Sequence, residues 1–311
     1  MKISCIEPLG INVEQFESLK VEFAEQGHDF IYYMDRKEEA EVLVNRMRDA
    51  DVVIVSNIKL TAEVLSQCSS LKFLSVAFTG LDHIDLDFCR QHDIAVQNAA
   101  GYSTTAVSEL AVGLMLDLLR RITEFDSITR RGMGRGLFLG RELKGKTVGI
   151  IGTGAIGIAT ARLLLAFGSR VLAYSRSQRQ EISDLGIPYV SLPNLLERSD
   201  IISLHIPLNA ATRHLIGEKE LALMKPDALL INTARGDVMD IDAVAEALKD
   251  GRIAGVATDV YEQEPPLCLQ HVLLNAPNCI CLPHVGYATR ESFDVRADIV
   301  FNHVKEWLGG R

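Results

Sequence analysis

Val148-Gly149-Ile150-Ile151-Gly152-Thr153-Gly154-Ala155-Ile156-Gly157 is the stretch on which the fold of this chain turns. An apolar run of strand length, 147–151, leads into three glycines spaced G-x-G-x-x-G, and a helical stretch, 158–167, follows them. Three spaced glycines alone say little. Between a strand and a helix they mark a turn that cradles the pyrophosphate of a dinucleotide. Gly152 permits the tight turn, Gly154 leaves room for the pyrophosphate, and Gly157 lets helix and strand pack closely. Ala155 and Ile156 open the helix, whose free N–H groups and dipole favour an anion there.

Working outward, strand-length apolar runs alternate with stretches of helical period in both directions. Upstream, strands are predicted at 2–6, 29–33, 52–55, 73–77 and 94–96, with helices at 13–26, 38–49 and 62–67. One long helix is predicted over 103–130, its apolar stripe carried by Val107, Leu110, Ala111, Leu114, Leu118 and Ile122. Downstream, strands are predicted at 171–174, 201–205, 229–232, 253–256 and 279–282. Many of these runs are apolar throughout, as strands covered on both faces are. The alternation predicts an α/β protein with parallel sheets. The glycine-rich 131–140 and the Pro- and Glu-rich 261–270 read as mobile loops.

The strand after the glycine turn selects the cofactor. A carboxylate at its end would take the ribose hydroxyls of NAD. This chain instead has Ser175, Arg176 and Ser177, with Arg179 close behind. Arg176 suits a 2′-phosphate, and both serines can donate to it. NADP is therefore favoured over NAD.

Composition excludes several classes. With 311 residues the chain has room for two domains. A net charge of -9 and no basic block argue against nucleic acid. The most apolar helical stretch, 106–119, contains Ser108, Glu109 and Asp117, so it is too short and too polar to span a bilayer. Glu7 and Pro8 interrupt the N-terminus before a signal-peptide core could form. Of six cysteines only Cys279 and Cys281 are close, and their spacing suits a strand rather than a metal. The expectation is a cytoplasmic protein with free thiols and no metal.

Further motifs extend the pattern: Ser203-Leu-His-Ile-Pro207, Met224-Lys-Pro-Asp-Ala-Leu-Leu-Ile-Asn-Thr-Ala-Arg-Gly236, Asp259-Val-Tyr-Glu-Gln-Glu-Pro265 and Pro283-His-Val-Gly286. In this order they resemble the D-isomer-specific 2-hydroxyacid dehydrogenases, over nearly the whole chain. Among members the sequence is most similar to hydroxypyruvate/glyoxylate reductases and phosphoglycerate dehydrogenase-like proteins. The resemblance implies two Rossmann-like, doubly wound parallel-sheet domains with an active-site cleft between them. Residues 99–286 are expected to bind the dinucleotide; 1–98 plus 287–311 are expected to bind substrate. It also implies a homodimer, built through the long helix and the loop after it.

The same resemblance implies a catalytic set. Arg235 would bind the substrate carboxylate, His284 would be the acid–base group, and Glu264 would hold the imidazole. The chemistry fits these residue types: a guanidinium fork matches a carboxylate, and an imidazole can protonate the oxygen of a carbonyl that receives a hydride. Thr104 and Asp259 are implied on the nicotinamide side, His205 and Pro207 on the adenosine side, and Thr233 and Ala234 against the cofactor. Asp259 also reads as a strand-end cap, and His205 as a satisfied strand histidine. The N–H groups of Thr79, Gly80 and Leu81 would receive the substrate carboxylate.

Some features depart from the family. Segment 132–140 lacks the usual tryptophan and looks shortened. Ser56-Asn57 stands where phosphoglycerate-type members carry Arg, with only Lys59 nearby. Tyr287 is open between substrate and hinge. The expected function is hydride transfer between a nicotinamide dinucleotide and a small 2-oxo/2-hydroxy acid, of the glyoxylate/hydroxypyruvate reductase type. The rivals are a corepressor-like dinucleotide sensor and a formate- or phosphite-type dehydrogenase.

Overall fold

The computed structural model describes residues 1–263 and 266–310. Two compact units divide the chain: Met1–Ser103 with Ala288–Arg311, and Thr104–Tyr287.

The first unit runs β1 (Lys2–Cys5), α1 (Val13–Glu25), β2 (Asp29–Tyr32), α2 (Ala40–Met47), β3 (Val52–Val55), α3 (Ala62–Leu65), β4 (Phe73–Val76), α4 (Leu86–Gln91) and β5 (Ala95–Asn98). The last helix of the chain, α12 (Arg290–Gly309), also belongs here. The strands form a parallel sheet in the order β2-β1-β3-β4-β5. Every residue of β3 and β4 is buried, because both faces of the sheet are covered. Leu43, Val44, Met47 and Leu65 pack on one face, against Val53, Val55 and Leu74. On the other, Phe16, Phe23, Phe30 and Phe301 form an aromatic cluster, and Trp307 stacks on Phe73 at 5.3 Å.

The second unit runs α5 (Thr104–Arg120), α6 (Ile122–Arg130), β6 (Thr147–Ile151), α7 (Ala155–Ala166), β7 (Arg170–Tyr174), α8 (Gln180–Asp184), α9 (Leu192–Arg198) and β8 (Ile201–Leu204). There follow α10 (Glu218–Leu223), β9 (Leu229–Asn232), α11 (Ile241–Lys249), β10 (Gly255–Thr258) and β11 (Cys279–Cys281). All six strands are parallel, in the order β11-β10-β9-β8-β6-β7. Strand residues alternate between two cores. Ile151, Ile202 and Leu230 face α9 and α11, while Val148, Ile150 and Ile231 face α5 and α7. This two-sided burial is why the strands read as unbroken apolar runs.

The order reverses between β6 and β8: β7 lies on one side of β6, and all later strands lie on the other. In sheets of this kind ligands bind at such a switch point, outside the carboxyl ends of the strands.

Two expectations about elements are corrected. The single helix over 103–130 is broken at Arg121, which adopts a left-handed conformation with φ 52° and ψ 46°. Asp117 caps the new start by accepting from the Thr123 N–H at 2.9 Å and from the Thr123 hydroxyl. The Arg141 N–H, donating to the Leu119 carbonyl at 2.9 Å, satisfies part of the end of α5. The strand expected at 253–256 runs instead over Gly255–Thr258. Ile253 is buried in the core that α11 covers rather than by ladder pairing, so its apolarity misled the reading.

The six cysteines are free thiols, and Cys279 and Cys281 are indeed strand residues. Among the described residues no helix is long and apolar enough to cross a membrane, and no cluster of three metal-ligating side chains occurs.

Candidate active site

The glycine turn sits at the switch point, with β6 entering it and α7 leaving it. Gly152 has φ +101°, and a Cβ there would lie 2.3 Å from the His205 carbonyl oxygen at the end of β8. Any side chain would therefore force the ends of β6 and β8 apart. At Gly157 a Cβ would lie 2.0 Å from the Gly152 carbonyl oxygen, so helix and turn touch through backbone alone. A Cβ at Gly154 would meet nothing within 4 Å. Gly154 caps α7, and the N–H groups of Ala155, Ile156 and Gly157 open its first turn. Open space before a helix N-terminus is what a pyrophosphate requires.

Beside this turn lies a pocket of about 230 Å³. Ser175, Arg176, Ser177 and Arg179 line one side of it, and His205 and Pro207 line the other. Its described lining contains no Asp or Glu. The His205 ring accepts or donates at 2.9 Å to the Ser203 hydroxyl, and desolvation lowers its pKa to about 4. His205 is therefore neutral near pH 7; its carbonyl packs on Gly152 and its side chain walls the pocket. Tyr189, absent from the sequence reading, donates its hydroxyl to Thr153 at 3.0 Å and accepts the Arg179 N–H at 2.8 Å. It ties the glycine turn to the loop that carries the arginines. Its partners are 10 and 36 residues away in sequence, so no local pattern marks it.

Three of the expected site residues emerge from neighbouring strand ends. Arg235 follows β9, Asp259 follows β10 and His284 follows β11. These three strands are adjacent and parallel, so all three residues leave one edge of the sheet, the edge of the glycine turn. Adjacent strands lie roughly 5 Å apart, which puts these strand ends within reach of one small ligand.

Local chemistry shapes each end. Fully buried Asn232 brackets the turn after β9: its side chain donates to the Arg235 carbonyl at 2.9 Å and accepts the Ala234 N–H at 3.0 Å. The Arg235 guanidinium donates to the Ala234 carbonyl at 2.7 Å. The Thr233 hydroxyl is buried with no hydrogen-bond partner among the described residues. Such a group costs about 1–3 kcal/mol until a ligand completes it. Asp259, 1% exposed, accepts the N–H groups of Val285 at 2.8 Å and Gly286 at 2.7 Å. It thus fixes the backbone immediately after His284, which sits in the left-handed region at φ 57°. The Tyr287 ring packs edge-on to the His284 ring at 5.5 Å. Thr104 opens α5. Glu264 lies outside the described residues.

In the first unit, Thr79, Gly80 and Leu81 form an irregular turn after β4. The Asn98 side chain holds the Thr79 carbonyl at 2.6 Å, and the Ala99 N–H holds the Phe78 carbonyl at 3.1 Å. Buried Glu7 fixes the loop after β3: one of its oxygens accepts the N–H groups of Ser56, Asn57 and Ile58. Its other oxygen pairs with Arg36 at 2.7 Å. Burial nonetheless holds the Glu7 carboxyl above its ordinary pKa, against the pull of Arg36 and those N–H groups.

Residues 112–286 match the family model of the D-isomer specific 2-hydroxyacid dehydrogenase NAD-binding domain. The chain belongs to this dehydrogenase family. A glyoxylate reductase of Thermococcus litoralis is 40% identical over 280 residues, covering 86% of this chain and 84% of its own. A hydroxypyruvate reductase of Thermotoga maritima is 38% identical, covering 82% of this chain and 83% of its own. Among solved structures, an acyclic imino acid reductase in complex with NADPH and D-Arg has a TM-score of 0.88 at 30% identity, covering 100% of this chain and 98% of that one. For a dehydrogenase of this family, the open cradle at Gly154 and the unsatisfied Thr233 hydroxyl fit a nicotinamide dinucleotide. As a member, the protein is a nicotinamide-dependent 2-hydroxyacid dehydrogenase.

Proposed function

We propose that this dehydrogenase reduces a small unphosphorylated 2-oxo acid of the glyoxylate and hydroxypyruvate kind, with NADP preferred to NAD. The observation that carries this reading is the exit of Arg235, Asp259 and His284 from three adjacent parallel strands, at the edge that bears the glycine turn.

The dinucleotide, when bound, supplies the hydride. The α7 N-terminus holds its pyrophosphate, Arg176 and Ser177 its ribose end, and Thr233, Ala234 and Asp259 its nicotinamide end. Arg235 takes the substrate carboxylate with its fork of donors and orients the neighbouring carbonyl. The N–H groups of Thr79, Gly80 and Leu81 are the substrate-binding donors proposed for the first unit. His284 gives a ring proton to the carbonyl oxygen during reduction and takes it back during oxidation. Asp259 keeps the 285–286 backbone in place so that the imidazole holds one direction, and Glu264 is assigned to the imidazole itself. The absence of Arg at Ser56-Asn57, and the use of Glu7 on those N–H groups, support a substrate without phosphate.

A cytoplasmic homodimer completes the proposal. Leu137 and Leu139 are 98% and 80% exposed. Close by is a pocket of about 740 Å³, walled by Leu118, Phe138, Cys279 and Ile280 along the edge strand β11. Exposed leucines beside a pocket lined by both apolar side chains and the charged Asp117, Arg121, Glu124, Arg131 and Arg141 suit a self-complementary two-fold contact. Six free thiols support a reducing compartment.

The test is a steady-state assay of glyoxylate, hydroxypyruvate, pyruvate and 3-phosphohydroxypyruvate, each with NADPH and NADH. Unphosphorylated acids should be reduced, with higher kcat/KM for NADPH. Arg176→Ala should lower the NADPH value about tenfold or more and leave NADH nearly unchanged. Equal use of both cofactors by wild type and variant would remove Arg176 from the reading. Preference for the phosphorylated acid would overturn the substrate class.

A further inference from the structure

The structure assigns to Arg296 the positioning of the turn that carries Thr79, Gly80 and Leu81. This inference rests on the reading of that turn as the carboxylate site.

Arg296 is only 4% exposed. It lies on α12, whose other buried positions are mostly apolar: Ala297, Val300, Phe301 and Val304. A buried guanidinium is costly unless its donors are used, and an apolar residue of similar volume often packs at lower cost. Here the donors reach three loops at the carboxyl edge of the first sheet. One terminal nitrogen donates to the Leu9 carbonyl at 2.6 Å, in the loop after β1. The other donates to the Ser56 hydroxyl at 3.2 Å, just after β3, and makes a long contact of 3.4 Å to the Ala77 carbonyl, just after β4. The faces of the guanidinium are flanked by Phe293, with the ring centroid at 4.3 Å, and by Tyr102 at 5.7 Å.

Ala77 lies two residues before Thr79, where the turn begins. The Ser56 hydroxyl, itself 3.4 Å from the Ala77 carbonyl, makes Arg296 and Ser56 a joint clamp on that peptide. From the far side Asn98 and Ala99 hold the carbonyls of Thr79 and Phe78. The turn is therefore gripped through its carbonyls from both sides. Among the described residues, the N–H groups of Thr79, Gly80 and Leu81 have no protein acceptor. Pre-set donors of this kind bind an anion with little reorganisation. Arg296 acts through the turn and is a positioning residue.

The test compares wild type, Arg296→Met, Arg296→Lys and Ser56→Ala with glyoxylate and NADPH. Thermal melting checks the fold, and fluorescence titration gives the NADPH Kd. Arg296→Met should raise the KM for glyoxylate roughly tenfold, with kcat within about threefold and the NADPH Kd unchanged. Arg296→Lys should recover part of the KM, since it keeps one donor. Ser56→Ala should raise KM by about two- to threefold. If Arg296→Met does not fold, Ser56→Ala decides alone. Wild-type KM in a folded Arg296→Met, or in Ser56→Ala, would overturn the assignment. So would a parallel loss of NADPH binding, which a turn in the first unit should not cause. Failure of wild type to reduce glyoxylate or any other 2-oxo acid would instead defeat the reading of the turn as a carboxylate site.

Discussion

Gly236 shows how one residue governs the site. A Cβ there would fall 1.9 Å from the Tyr261 carbonyl carbon, so the turn carrying Arg235 meets the loop after β10 through backbone alone. Gly236→Ala must push that backbone away, at a cost of roughly 1–3 kcal/mol. A lower Tm together with a reduced kcat/KM is expected, read by calorimetry and steady-state kinetics. An alanine variant with wild-type Tm and rate would show that the contact gives way freely. Gly152 and Gly157 were legible in the sequence because backbone proximity leaves no alternative residue type there. The Asp259 clamp on Val285 and Gly286 was not, since those donors lie 26 and 27 residues further along the chain. Sequence periodicity records which face is buried; it does not record which distant peptide will arrive at a carboxylate.

At the scale of elements, both sheets use the same device at their amino edge. Asp51, before β3, accepts the Lys2 N–H at 3.0 Å and pairs with Lys72 at 2.6 Å. Asp200, before β8, accepts the Thr147 N–H at 2.8 Å and pairs with Lys225 at 2.7 Å. For each carboxyl, burial acts to raise the pKa, but the lysine and the N–H donor prevail and hold it below its ordinary value. A carboxyl with a depressed folded pKa contributes stability above its unfolded pKa, about 3.9, and loses it as pH falls through the folded value. Asp200→Asn should therefore cost about 1 kcal/mol at pH 7, a figure reduced by partial exposure of the pair. That difference should shrink in urea melts as pH falls from 5 toward 3. A constant difference across this range would rule out the charge as its source. Strands were legible here because two-sided burial leaves plain apolar runs. The break at Arg121 was hidden, because the apolar stripe continues into α6 and only the Asp117–Thr123 cap interrupts the helix.

For the whole molecule, α/β class and parallel sheets followed from the alternation of apolar runs with helical periods. Assembly is written less plainly, since exposed leucines look like core leucines in a sequence. The homodimer proposal predicts that Leu137→Asp with Leu139→Asp shifts the protein from dimer to monomer in sedimentation velocity. A wild-type monomer, or a variant that stays dimeric, would contradict it.

The most direct measurement is the rate of glyoxylate and hydroxypyruvate reduction at saturating NADPH by wild type, Arg235→Ala and His284→Ala, with NADPH Kd determined on the same samples. The expected result is turnover by wild type, loss of at least about 100-fold in kcat/KM in both variants, and retained NADPH binding. Variants that bind NADPH and reduce either acid at the wild-type rate would show that the strand-end constellation is not the catalytic centre.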